Sequence, residues 1–419
     1  MPSHDYKTAG AMTKTLEERL VGALKGESID RRTVLGGLGL AGAAGIAGFS
    51  GGASADGDHG GGDSHHGNFG AVGEYSGNQF DPHEYLYQFN TGYDGQENVT
   101  QEVYMEGDQR IRRFELNAVD IEIEIAPGIT FSAWSYNGQV PGPTLRVTEG
   151  DIIEVEFTNL GRHAHTIHPH VKNINPAMDG IPTNGPGVLD TGESYTYRWK
   201  AQPCGVQFYH CHSLPLKEHI HRGLYGVIIV DPDPERVREN PRDYINYDGP
   251  MTDDLVSQLV TKAESRNHEY DEGEDVNEMV MVMNGFDTNF DGDNEVYAAN
   301  TRAFAYGVGD TDGKGNWEPG ETKRPIQVDG QQLQRVYLVN AIEFDAINSF
   351  HTHSNFFDYY DHGTMLTPTL KTVDTVMQCQ AQRGILEIDY SDHEPGLYMF
   401  HAHQSEFAEL GWMSFFEVV

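Results

Sequence analysis

Histidines recur in this sequence as pairs separated by a single residue. With 20 histidines in 419 residues, about one such pair is expected by chance. Six occur, at positions 163/165, 168/170, 210/212, 219/221, 351/353 and 401/403. In a β-strand, residues i and i+2 point to the same side. Each pair can therefore direct two imidazoles at one point, which is an arrangement that suits a transition-metal ion.

A cysteine separates one of these pairs, since Cys211 lies between His210 and His212. Alternate residues of a strand face opposite sides, so its sulfur should point away from the two imidazoles. One strand can then serve two metal sites that are joined by a short covalent path for electrons. A mononuclear blue copper site needs one thiolate, two imidazoles and a weak or absent axial ligand. His165 and His219 complete such a set with Cys211.

His219 and His221 compete as the second imidazole of this site. We prefer His219, because Leu224 follows it by five residues, where such sites often place an axial methionine. An alkyl side chain cannot donate to copper, so we expect a strongly oxidising site. We expect His163 and His221 to support the site from outside or to lie at the surface rather than to bind copper.

The histidine pairs lie in two strand-rich blocks that look like copies of each other. Residues 205–212 match residues 396–403 position by position, and a strand that begins with proline precedes the other pair in each block. Alternating apolar residues predict strands in both blocks, and turn signals such as Asn137-Gly138 separate them. Two tandem β-sandwich domains follow from this pattern.

The second block departs from the first at the blue site. Ala402 stands at the position of Cys211, and Asn348 stands at the position of His165. The second block should therefore contribute imidazoles only. Four paired histidines per block sum to eight.

The motifs at residues 165–170 and 210–212 resemble the copper signatures of multicopper oxidases. The loop from residue 211 to residue 226 is more similar to that of copper nitrite reductases. This combination is typical of two-domain multicopper oxidases with the blue copper in the first domain, and the resemblance covers about residues 110–419. It implies an all-β fold of two tandem cupredoxin-like Greek-key β-sandwich domains. It also implies copper as the cofactor, with four ions per chain: one type 1, one type 2 and two type 3.

The resemblance assigns a role to each of these side chains. The implied ligands are His165, Cys211 and His219 for type 1 copper, His168 and His351 for type 2, and His170, His210, His212, His353, His401 and His403 for the type 3 pair. Leu224 is the axial residue that does not coordinate. From sequence proximity to the second-domain pairs, Glu406 and Asp358 are candidates for a proton relay.

These assignments predict a laccase-like enzyme that oxidises a donor one electron at a time and reduces dioxygen to water. Electrons would enter at the edge of His219 and pass through Cys211 to the trinuclear centre, which is the cluster of the type 2 and the two type 3 copper ions. The donor stays open among phenols, amines, metal ions and a small redox protein. The resemblance also implies a homotrimer, in which the first domain of one chain meets the second domain of its neighbour.

Two other functions fit part of the pattern. Copper nitrite reductases need a catalytic Asp and a second-domain His at a single type 2 copper. This chain has His168 and Ala402 at those positions. A non-enzymatic periplasmic copper store or electron carrier would account for Cys211 and its partners but would leave the eight paired histidines unexplained. We therefore favour the oxidase.

The N-terminus and the charge predict an exported protein. Arg31-Arg32 precedes a Gly/Ala-rich apolar run, residues 36–49, that is too short to span a bilayer and ends near small residues 53–55. This resembles a twin-arginine signal and predicts an extracellular or periplasm-like location without a membrane span. The net charge of −36 argues against nucleic-acid binding and suggests a salt-rich habitat.

The predicted boundaries are a signal peptide at 1–55, a Gly/His-rich flexible segment at 56–105, a first cupredoxin domain at 106–235, a linker at 236–276 and a second cupredoxin domain at 277–419. Three questions stay open at this stage. Cys204 and Cys379 either pair or remain thiols. The His-rich segment either binds metal or is only a spacer. Residues 287–293 and 310–321 resemble calcium loops but lack the full twelve-residue pattern, so acidic turns are favoured.

Overall fold

The structure, a computed structural model, describes residues 80–89, 102–270, 275–308, 310–311, 317–318, 320 and 322–419. The predicted signal peptide, the His-rich part of the flexible segment and most of the second candidate calcium loop lie outside these residues. Within them, no helix combines the length and the apolarity that crossing a bilayer would require.

Strands dominate the described part of the chain, as the alternating pattern predicted. The first half contains β1 (Glu102–Glu106), β2 (Gln109–Ala126), β3 (Ile129–Tyr136), β4 (Leu145–Thr148), β5 (Ile152–Asn159), β6 (His168–Pro169), β7 (Ser194–Lys200), β8 (Gly205–His210) and β9 (Tyr225–Asp231). The second half contains β10 (Val276–Phe286), β11 (Val296–Ala299), β12 (Asp310–Thr311), β13 (Trp317–Glu318), β14 (Ile326–Val328), β15 (Leu333–Asn340), β16 (Ile347–Thr352), β17 (Phe357–Asp361), β18 (Leu370–Val373), β19 (Thr375–Cys379), β20 (Arg383–Ile388), β21 (Gly396–His401) and β22 (Met413–Val418).

Helices are short and few among the described residues. They are α1 (Pro82–Tyr85), α2 (Leu216–His221), α3 (Pro234–Glu239), α4 (Asp253–Glu264) and α5 (Ser405–Glu409), with 3₁₀ turns at Pro176–Met178 and Pro241–Tyr244. Of these, α2 matters most for the site, because it carries His219 and His221.

Each half of the chain builds two sheets around its own core. In the first half, one sheet has the order β1-β2-β5-β7 with β3 also paired to β2, and the other has the order β4-β9-β8-β6. Alternation in β2 buries Phe114, Leu116 and Ala118 against the facing sheet, while Glu115 stays exposed. The all-β sandwich architecture predicted from the sequence is confirmed.

The second half repeats this plan with sheets of order β11-β10-β15-β20-β17-β18 and β14-β22-β21-β16-β19, and β12 pairs with β13. A separate buried cluster fills the space between the two larger sheets and includes Phe350, Phe400 and Trp412. The copper-motif strands occupy equivalent places. His168 lies opposite His210 in the pairing of β6 with β8, and His351 lies opposite His401 in the pairing of β16 with β21.

Residues 80–89 differ from the prediction of a flexible segment at 56–105. Tyr85 and Leu86 are fully buried, and the backbone carbonyl of Leu86 accepts a hydrogen bond of 2.8 Å from Val280 in the second half. The Tyr85 hydroxyl donates to the Gly142 carbonyl in the first half at 3.2 Å. Strand β1 also falls in that segment. The polar, aperiodic composition of the segment did not indicate these contacts. Burial of only two apolar side chains is enough to anchor a segment, and two residues produce no periodic pattern.

The predicted linker also packs against the first half. Within it, α4 covers Asp253–Glu264, with Thr252 Oγ1 accepting the Leu255 N–H as the N-cap. One face of α4 buries Leu259, Val260 and Ala263 in the first core. This segment is therefore more than a tether between the two halves.

A buried ion cluster joins the two halves behind α4. Glu278 accepts hydrogen bonds from Arg146 of the first half and, at 2.8 Å, from Arg335 of the second half. Glu387 contacts Arg335 at 3.2 Å and also Arg266 and Lys262. Burial opposes the ionisation of Glu278, but Arg146 and Arg335 outweigh it and lower its pKa to about 2.

We expect Glu387→Gln to destabilise the protein by about 3–5 kcal/mol, because neutralising this carboxylate leaves buried Arg266 without its ion-pair partner and Arg335 with one carboxylate instead of two. The measurement is the free energy of unfolding in urea, with Glu235→Gln on exposed α3 as the control, expected within about 0.5 kcal/mol of wild type. Equal effects of Glu387→Gln and Glu235→Gln on the free energy of unfolding would contradict this account.

The stability should also depend on pH through Glu278. A carboxyl group whose pKa is lower in the folded than in the unfolded chain stabilises the fold at pH values above the unfolded-state pKa. The contribution of Glu278 should therefore persist down to pH 4.5 and disappear as the pH falls toward 2.

Candidate metal centres

The three side chains predicted to hold type 1 copper meet beyond the end of β8. Sγ of Cys211 lies 3.2 Å from Nδ1 of His219 and 3.9 Å from Nδ1 of His165. The two Nδ1 atoms are 3.2 Å apart. All three residues are buried. One sulfur and two imidazole nitrogens therefore face a common point, as a mononuclear copper site requires.

Three separate segments position these ligands. Paired backbone hydrogen bonds of 3.0 and 2.9 Å to Leu189 hold His165 in the loop between β5 and β6. Cys211 follows β8, and its N–H donates to the Leu224 carbonyl at 3.0 Å. His219 lies on α2, whose end at Gly223 has a φ of 113°, a conformation that favours glycine and turns the chain back toward Cys211.

The chemistry of the donor set fits copper. Burial lowers the pKa of His165 to about 3 and that of His219 to about 4, so both imidazoles are neutral at pH 7 and offer lone pairs. Burial raises the pKa of the Cys211 thiol, so a bound cation has to stabilise the thiolate. Leu224 is fully buried in the same core and has no donor atom.

His221 faces a different part of the protein. Its Nε2 lies 3.3 Å from the carbonyl oxygen of Asp287, and its ring packs edge-on against Phe131 and Phe344. His163 is exposed and packs its ring on Trp134 with centroids 4.5 Å apart. The structure thus brings His219, and neither of these two histidines, to the sulfur of Cys211.

This geometry predicts different outcomes for two histidines on the same helix. His221→Gln should keep the full blue absorbance of the copper-loaded protein, because its ring nitrogens point away from Cys211. His219→Gln, the matched variant two residues away, should lose most of it, because one of two imidazole ligands is removed. The measurement is the visible absorption spectrum per bound copper. Bleaching by His221→Gln alone would show that the ligand assignment is wrong.

His168, His170, His210 and His212 form the first histidine group, which lies at the end of β8 on the side opposite to the Cys211 sulfur. Nδ1 of His168 donates to the Asp179 carbonyl at 2.7 Å, and Nδ1 of His210 donates to the Cys211 carbonyl at 2.8 Å. These bonds leave the Nε2 lone pairs for a metal, which is the usual arrangement at metal-binding histidines. Nε2 of His170 is 3.1 Å from Nε2 of His210, and the His212 ring centroid is 5.3 Å from that of His168.

The second histidine group repeats this arrangement. Nδ1 of His351 donates to the Asp374 carbonyl at 3.0 Å, and Nδ1 of His401 donates to the Ala402 carbonyl at 2.6 Å. Nε2 of His353 lies 3.0 Å from Nε2 of His401, and the His403 ring centroid is 5.0 Å from that of His351. Four imidazoles per half therefore converge, as the histidine pairs predicted.

The equivalent of the blue site is closed in the second half. Ala402 is fully buried where Cys211 stands in the first half, and its N–H donates to the Trp412 carbonyl at 3.2 Å. Asn348, at the position of His165, is also fully buried. No donor set equivalent to the Cys211 site occurs among the described residues of this half.

Within one chain, the two histidine groups are separate. The groups that could hold a metal are His168 with His170 and His210, and His351 with His353 and His401, and no described group mixes the two halves. His353 and His403 are exposed. Each half of the chain thus presents four imidazoles rather than a complete set of eight.

The two predicted proton-relay residues lie on different elements of the second half. Asp358 is on β17 of the six-stranded sheet, whereas the second histidine group belongs to the sheet that contains β16 and β21, and Asp358 Oδ1 accepts the Thr372 N–H at 3.2 Å. Glu406 is exposed on α5. A role of Asp358 or Glu406 in proton transfer stays a prediction.

Two residues that the sequence did not single out contact the predicted ligands. Trp134 on β3 packs against the rings of His165 and His219, with centroids 5.3 and 4.7 Å apart. Arg383, at the start of β20 in the second half, reaches into the first half and places a guanidinium nitrogen 3.4 Å from Nδ1 of His170. Neither lies within a histidine motif, so no spacing signal marked them.

The structure also bears on the open questions about the cysteines and the first candidate calcium loop. All three cysteines are unpaired, with Cys204 buried and Cys379 exposed. In the first candidate calcium loop, the carboxylates of Asp287, Asp291 and Glu295 lie together. Asp287 accepts the backbone N–H groups of residues 291 and 292, as expected for an acidic turn, and we assign no ion to it.

Comparison with known proteins identifies the family of this chain. Two family models, each described as multicopper oxidase, match residues 117–235 and 287–419. A solved structure described as a multicopper oxidase is 41% identical, with a TM-score of 0.62, and the match covers 81% of this chain and 97% of that chain. A copper nitrite reductase structure from Nitrosomonas europaea, at 23% identity and a TM-score of 0.56, covers 74% of this chain and 94% of that chain and shows a shared fold.

Relatives with assigned activities match over shorter stretches. The copper-containing nitrite reductase of Neisseria meningitidis is 33% identical over 124 residues, which is 29% of this chain and 30% of that protein. The L-ascorbate oxidase of Cucumis sativus is 38% identical over 131 residues, which is 30% of this chain and 22% of that protein. These matches therefore span less than a third of each relative.

The tandem cupredoxin-like sandwiches and the candidate Cys-His-His and four-histidine groups are those of a copper protein. More particularly, the chain belongs to the multicopper oxidase family.

Proposed function

We propose that this protein is a laccase-like oxidase that takes single electrons from a phenol-like or metal-ion donor and reduces dioxygen to water. One observation carries the proposal. The backbone carbonyl of Cys211, the sulfur residue of one site, accepts the hydrogen bond from Nδ1 of His210, an imidazole of the other site. The two sites are thus joined by one peptide bond and one hydrogen bond, a short route for electrons.

The residues of the chain assign the steps. The donor binds in a pocket that His219, Trp134, His163 and Leu214 help to line, so it comes next to one copper-binding imidazole, although that ring is itself buried. Cys211 passes electrons to His210 and His212. Copper, when bound, would accept and release single electrons and would bind dioxygen. Several of these imidazoles donate a hydrogen bond from Nδ1 to a backbone carbonyl, as described above. These bonds fix the rings in the orientation in which they would hold the ions.

We propose that three of four copper ions lie between chains, with the histidines of residues 168–212 from one chain and those of residues 351–403 from a neighbour. Support comes from the sheet face that carries His351. Ile347 and Met377, on the same face of β16 and β19, are 40% and 64% exposed, and His353 is exposed beside them. Such an apolar rim around half of a metal site suits burial by a second copy. A closed ring of three chains would complete every site.

A complementation experiment tests this assembly. Chains with Cys211→Ser and chains with both His401→Ala and His403→Ala should each be inactive alone. Co-expressed, they should recover roughly a quarter of wild-type oxygen uptake, because in a random ring one interface in four joins an intact first half to an intact second half. If mass spectrometry detects mixed rings but the co-expressed protein has no activity, the site lies within one chain.

The reaction itself is tested by stoichiometry. Purified, copper-loaded protein should consume one dioxygen per four one-electron donors and should show one type 1 and one type 2 electron paramagnetic resonance signal per chain. A blue protein that consumes no oxygen with any of a panel of phenols, aromatic amines and metal ions would instead be an electron carrier.

Nitrite reduction is the second candidate, since relatives with that activity match part of the chain. Two positions argue against it here. His168 stands where that reaction needs a carboxylate, and Ala402 is fully buried where it needs a histidine. Nitrite-dependent production of nitric oxide by the loaded protein, at rates that exceed oxygen uptake, would reverse this preference.

Export by the twin-arginine route and function in a salt-rich environment complete the proposal. Twin-arginine signals carry folded proteins, and a net charge of −36 suits solubility at high salt. Secretion that stops when Arg31 and Arg32 are both changed to Lys would support this location.

A further inference from the structure

A cavity of about 480 Å³ opens beside the first histidine group and reaches the second half of the same chain. One wall is built by the four imidazoles of that group. The other wall comes from α2 and from two loops of the second half. The residues that line the cavity are His168, His170, Phe208, His210, His212, Leu216, Lys217, Ile220, Ala341, Glu343, Gln380 and Ala381.

Glu343 contributes the single carboxylate among the described residues that line this cavity. It lies in the loop between β15 and β16 and is 8% exposed. Its backbone carbonyl accepts a hydrogen bond of 2.7 Å from the amide of buried Asn294, which fixes the loop. The carboxyl group is thus held on a rigid support, out of bulk water and in the same cavity as the imidazoles.

The burial of Glu343 brings its pKa close to neutral pH, so a large share of the carboxyl groups is protonated there. Burial raises its pKa to about 7, although a hydrogen bond from Gln380 and the charge of Lys217 act in the opposite direction. An acid whose pKa lies near the working pH is the most effective proton donor.

We propose that Glu343 is the acid that delivers protons to dioxygen during its reduction in this cavity. The assignment rests on the proposed oxidase function. Reduction of one dioxygen to two waters consumes four electrons, which arrive through Cys211, and four protons. Glu343 gives up its carboxyl proton to the reduced oxygen, becomes a carboxylate, and regains a proton from solvent through the open side of the cavity, once for each proton consumed.

The assignment replaces Glu406 and Asp358 as relay candidates. In the repeat, the loop that carries Glu343 corresponds to residues 160–164, which border the Cys211 site in the first half. In the second half that site is closed by Ala402, and the loop instead faces the histidine group of the first half. The loop that carries Glu343 therefore borders the first histidine group instead of a Cys-containing site of its own half.

The test is Glu343→Gln, which keeps the size and hydrogen bonding of the side chain but cannot give up a proton. Copper content, blue absorbance and anaerobic bleaching by donor should match wild type, whereas oxygen reduction at pH 7 should fall by about 10²-fold. The wild-type decline in rate above about pH 7 should disappear. Glu343→Asp should recover part of the rate, and Glu409→Gln on exposed α5 is the matched control.

A second readout does not depend on turnover. In the metal-free full chain, with folding verified by circular dichroism, infrared spectroscopy should show a protonated carboxyl band with a midpoint near pH 7 that is absent from Glu343→Gln. Unchanged oxygen reduction and an unchanged pH profile in Glu343→Gln would overturn the proposal. Loss of copper from Glu343→Gln would overturn it too, and so would absence of the carboxyl band from the wild type. If wild type consumes no oxygen at all, the function proposed above fails, and Glu343 fails with it as a donor even if the band is present.

Discussion

Replacing Cys211 with Ser is expected to abolish the blue colour and to lower oxygen uptake by about 10³-fold or more. Loss of a side chain that merely supports a metal ligand typically costs about 10–100-fold, and here the ligand itself is removed. The hydroxyl of Ser is a poor ligand for this ion, and the electron route from His219 to His210 loses its sulfur. Spectra, copper content and oxygen uptake on the purified protein measure the three effects separately.

The matched control is Cys379→Ser, which changes an exposed thiol of the second half and should alter neither colour nor rate. The Cys211→Ser protein should still bind copper at the histidine groups, because those imidazoles face away from position 211. If Cys211→Ser kept donor oxidation coupled to oxygen uptake, electrons would enter elsewhere and the proposed route would be wrong.

Removing His401 and His403 together is expected to leave the blue colour and to eliminate oxygen reduction. Both imidazoles belong to the second histidine group, which no described contact links to the Cys211 site within one chain. We expect copper per chain to fall and oxygen uptake to drop by about 10³-fold or more, since direct ligands are lost rather than their supports. Anaerobic bleaching by a donor should proceed, because the entry site is intact.

The control for this pair is His393→Ala in the same half, whose ring bonds to the Ser354 carbonyl at 3.0 Å and belongs to neither histidine group. Its copper content and oxygen uptake should equal those of wild type. Oxygen reduction that survived the loss of both His401 and His403 would refute the trinuclear centre. Loss of the blue colour in the double variant would mean that the two sites are not separable as the geometry indicates.

Much of the site followed from periodicity alone. Because side chains of a strand alternate in direction, the run at residues 210–212 already implied two imidazoles on one side and a sulfur on the other. The structure has this arrangement: Cys211 meets His165 and His219, and His210 meets His168 and His170. The internal repeat likewise predicted that Ala402 closes the blue site of the second half.

Tertiary structure decided which side chains outside those motifs join the site. Nothing in the spacing distinguishes Glu343 from Glu406, since both lie within a few residues of a predicted histidine strand. Only the packing of the second half against the first places Glu343 in the cavity of the first histidine group and leaves Glu406 on the surface. The same packing brings Arg383 to His170.

The sequence by itself determined the local part of this protein: sandwich strands, paired imidazoles, and a thiolate that points away from one of those pairs. These follow from the two-residue period of a strand, which fixes side-chain direction over short distances. Contacts between segments far apart in sequence depend on how two cores pack, and composition does not encode that in any short pattern. The buried anchor at residues 80–89, the ion cluster around Glu278 and Glu387, and the acid beside the histidines were therefore visible only in the folded chain.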